Sequence, residues 1–338
     1  MNARVAVPAL AVAALVPLAL GESSLAMQNL ILAAAYVIMA LGLNIVVGFA
    51  GLLDLGYVAF YAIGAHVTAH FGSTFWAGAV DGGIHLGFPI ILVLAIVATA
   101  VAGVLIGVPT LRLRGDYIGI VTLAFGEIIG QIVSNGRRIE FLGGSLTGGP
   151  NGIAGIDPID LPFVEPFGRF DLRPWYWFAL ALLALVLVVN VRVRDSRQGR
   201  AWIAMRQDEP VAASLGIPIV RTKLLAYGVG AALGGVSGAF LASYLTLVNP
   251  HQFTFSFSIL ILAMVVLGGL GSIWGVVAGA IVLSVFNNYL LPKVLYDLPS
   301  VVGSDIDLSQ IGSGIYGLLL VVLMLLRPQG LQRPPTEP

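Results

Sequence analysis

The chain has 338 residues, of which 58% are hydrophobic and only 10% are charged. Its 17 lysines and arginines balance 17 aspartates and glutamates, and its mean hydropathy is +0.96. A chain with so few charges lacks the polar surface that a water-soluble protein of this size needs. This composition excludes a soluble enzyme, a disordered chain and a nucleic-acid-binding protein, because phosphate binding requires an excess of basic residues. Since cysteine is absent, the chain also has no disulfide bond, thiolate metal site or cysteine nucleophile.

Long apolar segments recur along the whole chain. Runs of about 18 or more mostly apolar residues are typical of membrane helices. About ten such segments occur, at residues 5–20, 26–48, 57–72, 88–108, 117–135, 174–191, 224–247, 256–270, 273–291 and 310–326. The third and eighth are short, as expected of discontinuous helices buried within a membrane protein. We therefore predict that residues 1–338 form a single all-α polytopic membrane domain of about ten transmembrane helices, some short or broken.

Basic residues are distributed unevenly between the two sets of predicted loops. Alternating ten spans from a cytoplasmic N-terminus places 12 of the 17 lysines and arginines in cytoplasmic segments. This asymmetry agrees with the positive-inside rule and predicts that both termini are cytoplasmic. The apolar stretch after Arg4 also has an alternative interpretation as a signal peptide cleaved near Ser24.

Two connecting segments have opposite character. Residues 139–173 are acidic and rich in glycine and proline, which predicts an external loop with ordered turns. Residues 192–223 carry seven basic side chains and are predicted to be cytoplasmic. The first segment is either a surface that receives a partner or a solvated connector.

The cytoplasmic segment contains the signals of a short, rigid helix. Asp208 or Glu209 is suited to cap its N-terminus, and Pro210 is suited to its first turn. Gly216 is suited to the left-handed position that ends a helix, and Pro218 prevents its continuation. The preceding residues 198–207 are typical of an interfacial helix. Such a capped helix would fit a groove on a partner; the alternative is a loop bound to lipid headgroups by its arginines.

Glu127 is the only carboxylate deep within a predicted span. A charge at the bilayer centre costs about 2.5–3.5 kcal/mol on insertion scales, so the side chain should face the bundle interior or a cavity. Gln131 follows one turn later on the same helical face. The pair is either part of a translocation pathway or an interhelical polar clasp, with Asn44 or Ser237 as partner.

No sequence motif indicates a bound cofactor or metal. The phosphate-binding motif G-x-x-x-x-G-K-[S/T] does not occur in this sequence, so any use of ATP must depend on other subunits. His66 and His70 share a helical face, but no third metal ligand lies near them in sequence. We therefore predict no metal site.

Several segments, in their order and spacing, resemble the permease subunits of branched-chain amino-acid ABC importers, specifically the LivM-like family. The matching segments are GLLDLGYVAF (51–60), LRLRGDY (111–117), TLAFGEI (122–128), TGGPNG (147–152), GRA (199–201), DEPVAASLGI (208–217), KLLAY (223–227), GGLGSIWG (268–275) and RPQGL (327–331). The first 25 residues are not covered by this resemblance.

The resemblance implies a function and a set of partners. The chain would form half of the translocation pathway of an ATP-driven importer in the bacterial inner membrane and would not itself be an enzyme. Its partners would be a homologous second permease, two cytoplasmic ATP-binding subunits, and a periplasmic or lipid-anchored amino-acid-binding protein. Membrane lipid would surround the chain, and ATP would be used only by the partners.

The same resemblance implies where the ATP-binding subunits are coupled. In such permeases a Glu-x-x-Ala-Ala-x-x-Gly pattern marks the helix that contacts the ATPase. The residues expected to serve in coupling are Arg206, Asp208, Glu209, Ala212, Ala213 and Gly216. Two alternatives stay open: a permease for urea or short amides, and a self-sufficient transporter coupled to H⁺ or Na⁺, for which Glu127 is the only strong ion-binding candidate.

Overall fold

The computed structural model of the chain is dominated by α-helices. It describes residues 13–15, 17, 25–77, 81–111, 113, 117–141, 144–161, 166–168, 171–290, 314, 318, 321–322, 325 and 330–332. The helices bounded within these residues are α1 (Leu25–Leu43), α2 (Val58–Phe71), α3 (Phe88–Thr110), α4 (Tyr117–Asn135), α5 (Arg173–Asp195), α6 (Arg197–Gln207), α7 (Glu209–Ser214), α8 (Ile219–Leu245), α9 (Phe255–Gly268) and α10 (Ile273–Val285). A π-helical turn, Asn44–Phe49, extends α1, and a second one, Phe286–Leu290, extends α10.

Among the described residues, six two-residue strands form three small antiparallel pairs. They are β1 (Gly72–Ser73), β2 (Ile84–His85), β3 (Glu140–Phe141), β4 (Gly144–Ser145), β5 (Ile153–Ala154) and β6 (Leu247–Val248). β1 pairs with β2, β3 with β4, and β5 with β6. These pairs join connecting segments to one another and leave the helices as the main architecture.

Within the described residues, six helical segments are long and apolar enough to cross a membrane. They are Leu25–Phe49, Phe88–Thr110, Tyr117–Arg138, Arg173–Asp195, Ile219–Leu245 and Pro250–Gly268. Two shorter apolar helices, Val58–Phe71 and Ile273–Tyr289, occupy the third and ninth predicted spans. The second to ninth predicted spans are thus each helical. The first and tenth, and with them the position of the termini, lie almost wholly outside the described residues.

The third span is short because the segment 50–57 between α1 and α2 is not helical. Side chains satisfy its backbone amides: Leu55 donates to Thr122 Oγ1 at 3.0 Å, and Gly56 donates to Asp54 Oδ1 at 2.9 Å. Irregular backbone is tolerated in a membrane protein where protein groups take up its hydrogen bonds. The segment therefore packs against α4 as an ordered part of the bundle.

α8 is the central helix, and glycine allows its neighbours to approach it closely. A Cβ placed on Gly64 of α2 would lie 2.4 Å from the carbonyl oxygen of Gly235 in α8. The Tyr57 hydroxyl donates to Gly230 O of α8 at 2.8 Å. Small residues at helix interfaces permit such backbone contact, so α8 is packed tightly against the first half of the chain.

The connecting segments gather at two opposite ends of the bundle. At one end, Asn44 Oδ1 accepts from Gly271 N at 2.9 Å, and Leu331 N donates to Leu267 O at 2.7 Å. At the other end, β5 pairs with β6, and Asp157 N donates to Gly72 O at 2.7 Å. We call the first the coupling end, because residues 192–223 lie there, and we call residues 144–161 at the other end the cap. That the coupling end faces the cytoplasm stays a prediction.

Candidate functional site at the coupling end

The short helix α7 begins at a capped N-terminus. The Asp208 side chain accepts a hydrogen bond from Val211 N at 2.9 Å, and Pro210 lies in the first turn. An N-cap of this type satisfies an amide that the helix itself leaves unpaired. The sequence left the choice between Asp208 and Glu209 open, and the structure assigns the cap to Asp208.

The same helix ends at Gly216 in a Schellman motif. Gly216 has φ of +84°, and Ile217 N donates to Ala212 O at 3.1 Å while Gly216 N donates to Ala213 O at 3.0 Å. These two bonds are the paired closing contacts of that motif. A Cβ on Gly216 would meet no described residue within 4 Å, so the requirement for glycine comes from the backbone angle and not from crowding.

Two contacts attach this region to α8. Lys223 Nζ donates to Glu209 Oε1 at 2.9 Å, and the Lys223 side chain is only 3% exposed. The Trp202 indole N–H in α6 donates to Thr222 O at 2.8 Å. Trp202 is buried within the protein and contacts α8, while the interpretation of residues 198–207 as an interfacial helix stays a prediction.

Arg206 of α6 contacts two glycine-containing segments, the π-helical turn after α1 and the turn between α9 and α10. Its Nη1 donates to Gly48 O, in the π-helical turn after α1. A Cβ on Gly51 would lie 2.7 Å from Arg206 Cγ, and a Cβ on Gly271 would lie 3.1 Å from Arg206 Nη1. The Arg206 guanidinium thus contacts both the π-helical turn after α1 and the turn between α9 and α10.

Two large apolar side chains are exposed on α7 and at its C-cap. Val211 is 52% exposed and Leu215 is 75% exposed, and they are one helical turn apart. Of the residues predicted for coupling, Ala212 is buried, Glu209 is half-buried, and Arg206, Asp208, Ala213 and Gly216 are exposed. Sequence reasoning missed Val211, Leu215 and Lys223, although the spacing of the first two within a capped helix was a usable signal.

Glu127 and Gln131 are both exposed on α4, whose buried residues are Ile118, Gly119, Thr122, Gly126 and Val133. The alternative of a clasp with Asn44 or Ser237 does not form among the described residues, since Glu127 is exposed, Asn44 Oδ1 accepts from Gly271 N and Ser237 donates to Ala35 O. Glu127 therefore faces away from the interior of this chain. Its assignment to a translocation pathway stays a prediction.

Two histidines contact the cap, His70 from α2 and His85 from β2. His85 Nδ1 lies 2.6 Å from Asp157 Oδ2, and His70 Nε2 lies 2.9 Å from Leu146 O. The hydrogen bond with Asp157 raises the pKa of His85 above its ordinary value. Within the described part of the chain, no three histidine or carboxylate side chains are grouped as a metal site requires.

Comparison with known proteins identifies the family. A family model described as "Branched-chain amino acid transport system / permease component" matches residues 25–326. The chain belongs to this family. The permease is thus a multi-pass membrane protein and not an enzyme, and the resemblance found in the sequence is confirmed.

The permease is similar to named relatives over most of its length. It is 37% identical to the "high-affinity branched-chain amino acid transport system permease protein LivM" of Salmonella typhimurium, over 90% of this chain and 68% of that protein. It is 38% identical to LivM of Escherichia coli over the same shares. It is also 30% identical over 145 residues, 43% of each chain, to the permease protein LivH of Salmonella typhimurium. No solved structure matches it significantly.

Proposed function

We propose that the permease forms half of the translocation pathway of an ATP-driven importer of branched-chain amino acids. The names and extent of similarity of its LivM relatives support this substrate class. Its similarity to LivH supports a homologous second permease as partner. Two ATP-binding subunits and an external amino-acid-binding protein complete the proposed complex in the bacterial inner membrane.

The observation that carries the coupling role is the construction of α7. The helix is capped at both ends, attached to α8 by an ion pair, and presents Val211 and Leu215 outward. Exposed apolar side chains on a rigid helix fit a hydrophobic groove, the usual way a helix binds a partner. In our proposal this groove belongs to an ATP-binding subunit.

The packing of α8 suggests how movement would reach the membrane helices. A shift of α7 would move α8, whose glycines contact the backbone of α2 and the side chain of Thr99 in α3. Packed interfaces of this kind change between discrete arrangements and do not deform continuously. ATP binding and hydrolysis by the partners would thus switch the permease pair between outward and inward access.

The exposed face of α4 supports a pathway at the boundary between the two permeases. An exposed Glu127 is costly against lipid, so a second subunit or a water-filled passage should cover this face. We expect Glu127→Gln to reduce uptake while the complex still assembles. Normal uptake at normal abundance would remove Glu127 from the pathway.

Site-specific photo-crosslinking tests whether α7 contacts an ATP-binding subunit. A photoreactive residue at Leu215, in cells that express the whole importer, should capture an ATP-binding subunit. The matched control is Val97, which is 54% exposed on α3. Equal capture from both positions, or no capture from Leu215, would overturn the assignment.

Labelling of single cysteines tests the membrane orientation, since the chain has no cysteine of its own. An impermeant reagent outside intact cells should label a cysteine at the exposed Asn151 in the cap and should not label one at the exposed Gln198 in α6. The reverse pattern would show that the coupling end is external.

Competition for uptake by leucine and not by urea would separate the two substrate classes.

A further inference from the structure

Lys223 is a buried cation near the start of a membrane helix. Its side chain is 3% exposed, and Glu209 is the only hydrogen-bonding or ionic partner of its ammonium group among the described residues. Buried ammonium groups are stable only when they are paired. Lys223, a group inside the permease, therefore requires a carboxylate at the position of Glu209.

The two members of this ion pair do not have equivalent surroundings. The Glu209 side chain is 38% exposed, so water can solvate its carboxylate when Lys223 is absent. The Lys223 side chain, at 3% exposed, has almost no access of its own to water. Removing the carboxylate leaves an unpaired buried charge, which is far more destabilising than removing both members.

The pair also closes the turn that joins α7 to α8. Glu209 opens α7, the Schellman motif at Gly216 reverses the chain, and Lys223 follows in α8. The ion pair attaches α7 to α8, and the hydrogen bond from Trp202 to Thr222 O attaches α6 to α8. With this bond engaged, Glu209 directs its carboxylate toward α8.

We infer that Glu209 acts inside the permease, as a positioning residue that holds α7 on α8 through Lys223, and not as a contact to the ATP-binding subunit. This inference rests on the proposed function, since it assigns how α7 transmits movement. Contact with the partner then belongs to Val211, Ala213 and Leu215. Lys223 becomes a second positioning residue for coupling.

The test uses the complete importer in proteoliposomes, with import per ATP hydrolysed measured for assembled complexes. Glu209→Ala and Lys223→Met should each lower this ratio several-fold, because each breaks the same ion pair. The double variant should be no worse than Lys223→Met alone. The reciprocal exchange, Glu209→Lys with Lys223→Glu, should recover part of the wild-type ratio.

Two outcomes would overturn the inference. If Lys223→Met keeps the wild-type import per ATP hydrolysed and Glu209→Ala lowers it, the carboxylate acts on a partner. A lower melting temperature for both variants at an unchanged ratio would show that the pair only stabilises the fold. Asp195→Asn is the matched control, since the ion pair of Asp195 with Arg194 lies in the same segment and Asp195 is 60% exposed; it should change neither quantity.

The melting temperature of the purified chain separates this inference from the proposed function. Glu209→Ala should melt lowest, and adding Lys223→Met should raise its melting temperature, whatever the chain transports. Absence of ATP-driven import by the wild-type complex would refute the proposed function alone. A double variant that melts no higher than Glu209→Ala would refute the ion-pair inference alone.

Discussion

The amide oxygen of Asn44 accepts a hydrogen bond from the backbone of Gly271, 2.9 Å away in space and 227 residues away in sequence. Asn44 begins the π-helical turn that extends α1, and Gly271 lies in the turn between α9 and α10. Arg206 of α6 contacts the same two places. The coupling end is thus a junction at which two interrupted membrane helices and the coupling segment meet.

We expect Asn44→Leu to destabilise the permease by about 1–3 kcal/mol, because it leaves the buried Gly271 amide without an acceptor. The measurement is thermal unfolding of the purified chain in detergent. Asn190→Leu is the matched control: Asn190 is equally buried but donates only to Val186 O within its own helix. A control variant that unfolds as easily as Asn44→Leu would contradict the role of this hydrogen bond.

The backbone contact between α2 and α8 gives a second prediction. Gly64→Ala should separate the two helices, because the added Cβ would lie 2.4 Å from Gly235 O. Backbone cannot yield as a flexible side chain does, so we expect a marked loss of folded protein in the membrane. Gly168→Ala, at a position with nothing within 4 Å, should express normally. Equal abundance of the two variants would refute close packing at Gly64.

The features that the sequence predicts are those that depend on residues close together along the chain. The cap at Asp208 and the left-handed Gly216 follow from local backbone chemistry, and the long apolar helices follow from composition. The span boundaries predict the gap between the second and third spans, but not how its backbone is satisfied, because one of its hydrogen bonds is accepted by a side chain 67 residues away. The direction of Glu127 was missed for a related reason: a single carboxylate in a span does not reveal which neighbour covers it.

At the end of α7, Gly216→Val should impair coupling, because a β-branched residue resists a φ of +84°. Gly216→Asn should retain most of it, since asparagine tolerates the left-handed region. The measurement is import per ATP hydrolysed by assembled complexes. Because no atom lies within 4 Å of the place that a Cβ would take, a defect shared equally by valine and asparagine would indicate a partner contact instead of backbone strain.

The cap should loosen as the pH rises. The pKa of His85 is raised by its hydrogen bond with Asp157, so protonation favours the attached cap. This stabilisation is complete below the ordinary histidine pKa of about 6.5 and is lost as the pH rises through the higher value in the folded protein. Spin labels on cysteines at the exposed Asp81 and Asp160 should show a broader distance distribution at high pH. His85→Gln should remove the pH dependence, and an unchanged pH response in that variant would exclude this ion pair as its source.

Leucine uptake by reconstituted proteoliposomes tests the central claim most directly. The permease, its second permease and the ATP-binding subunits are reconstituted together, with the binding protein added on the cap side. The account predicts accumulation of leucine only when ATP is present on the side of the coupling end and loaded binding protein is present on the other. Accumulation by the purified chain alone, driven by an H⁺ or Na⁺ gradient and independent of ATP, would contradict it.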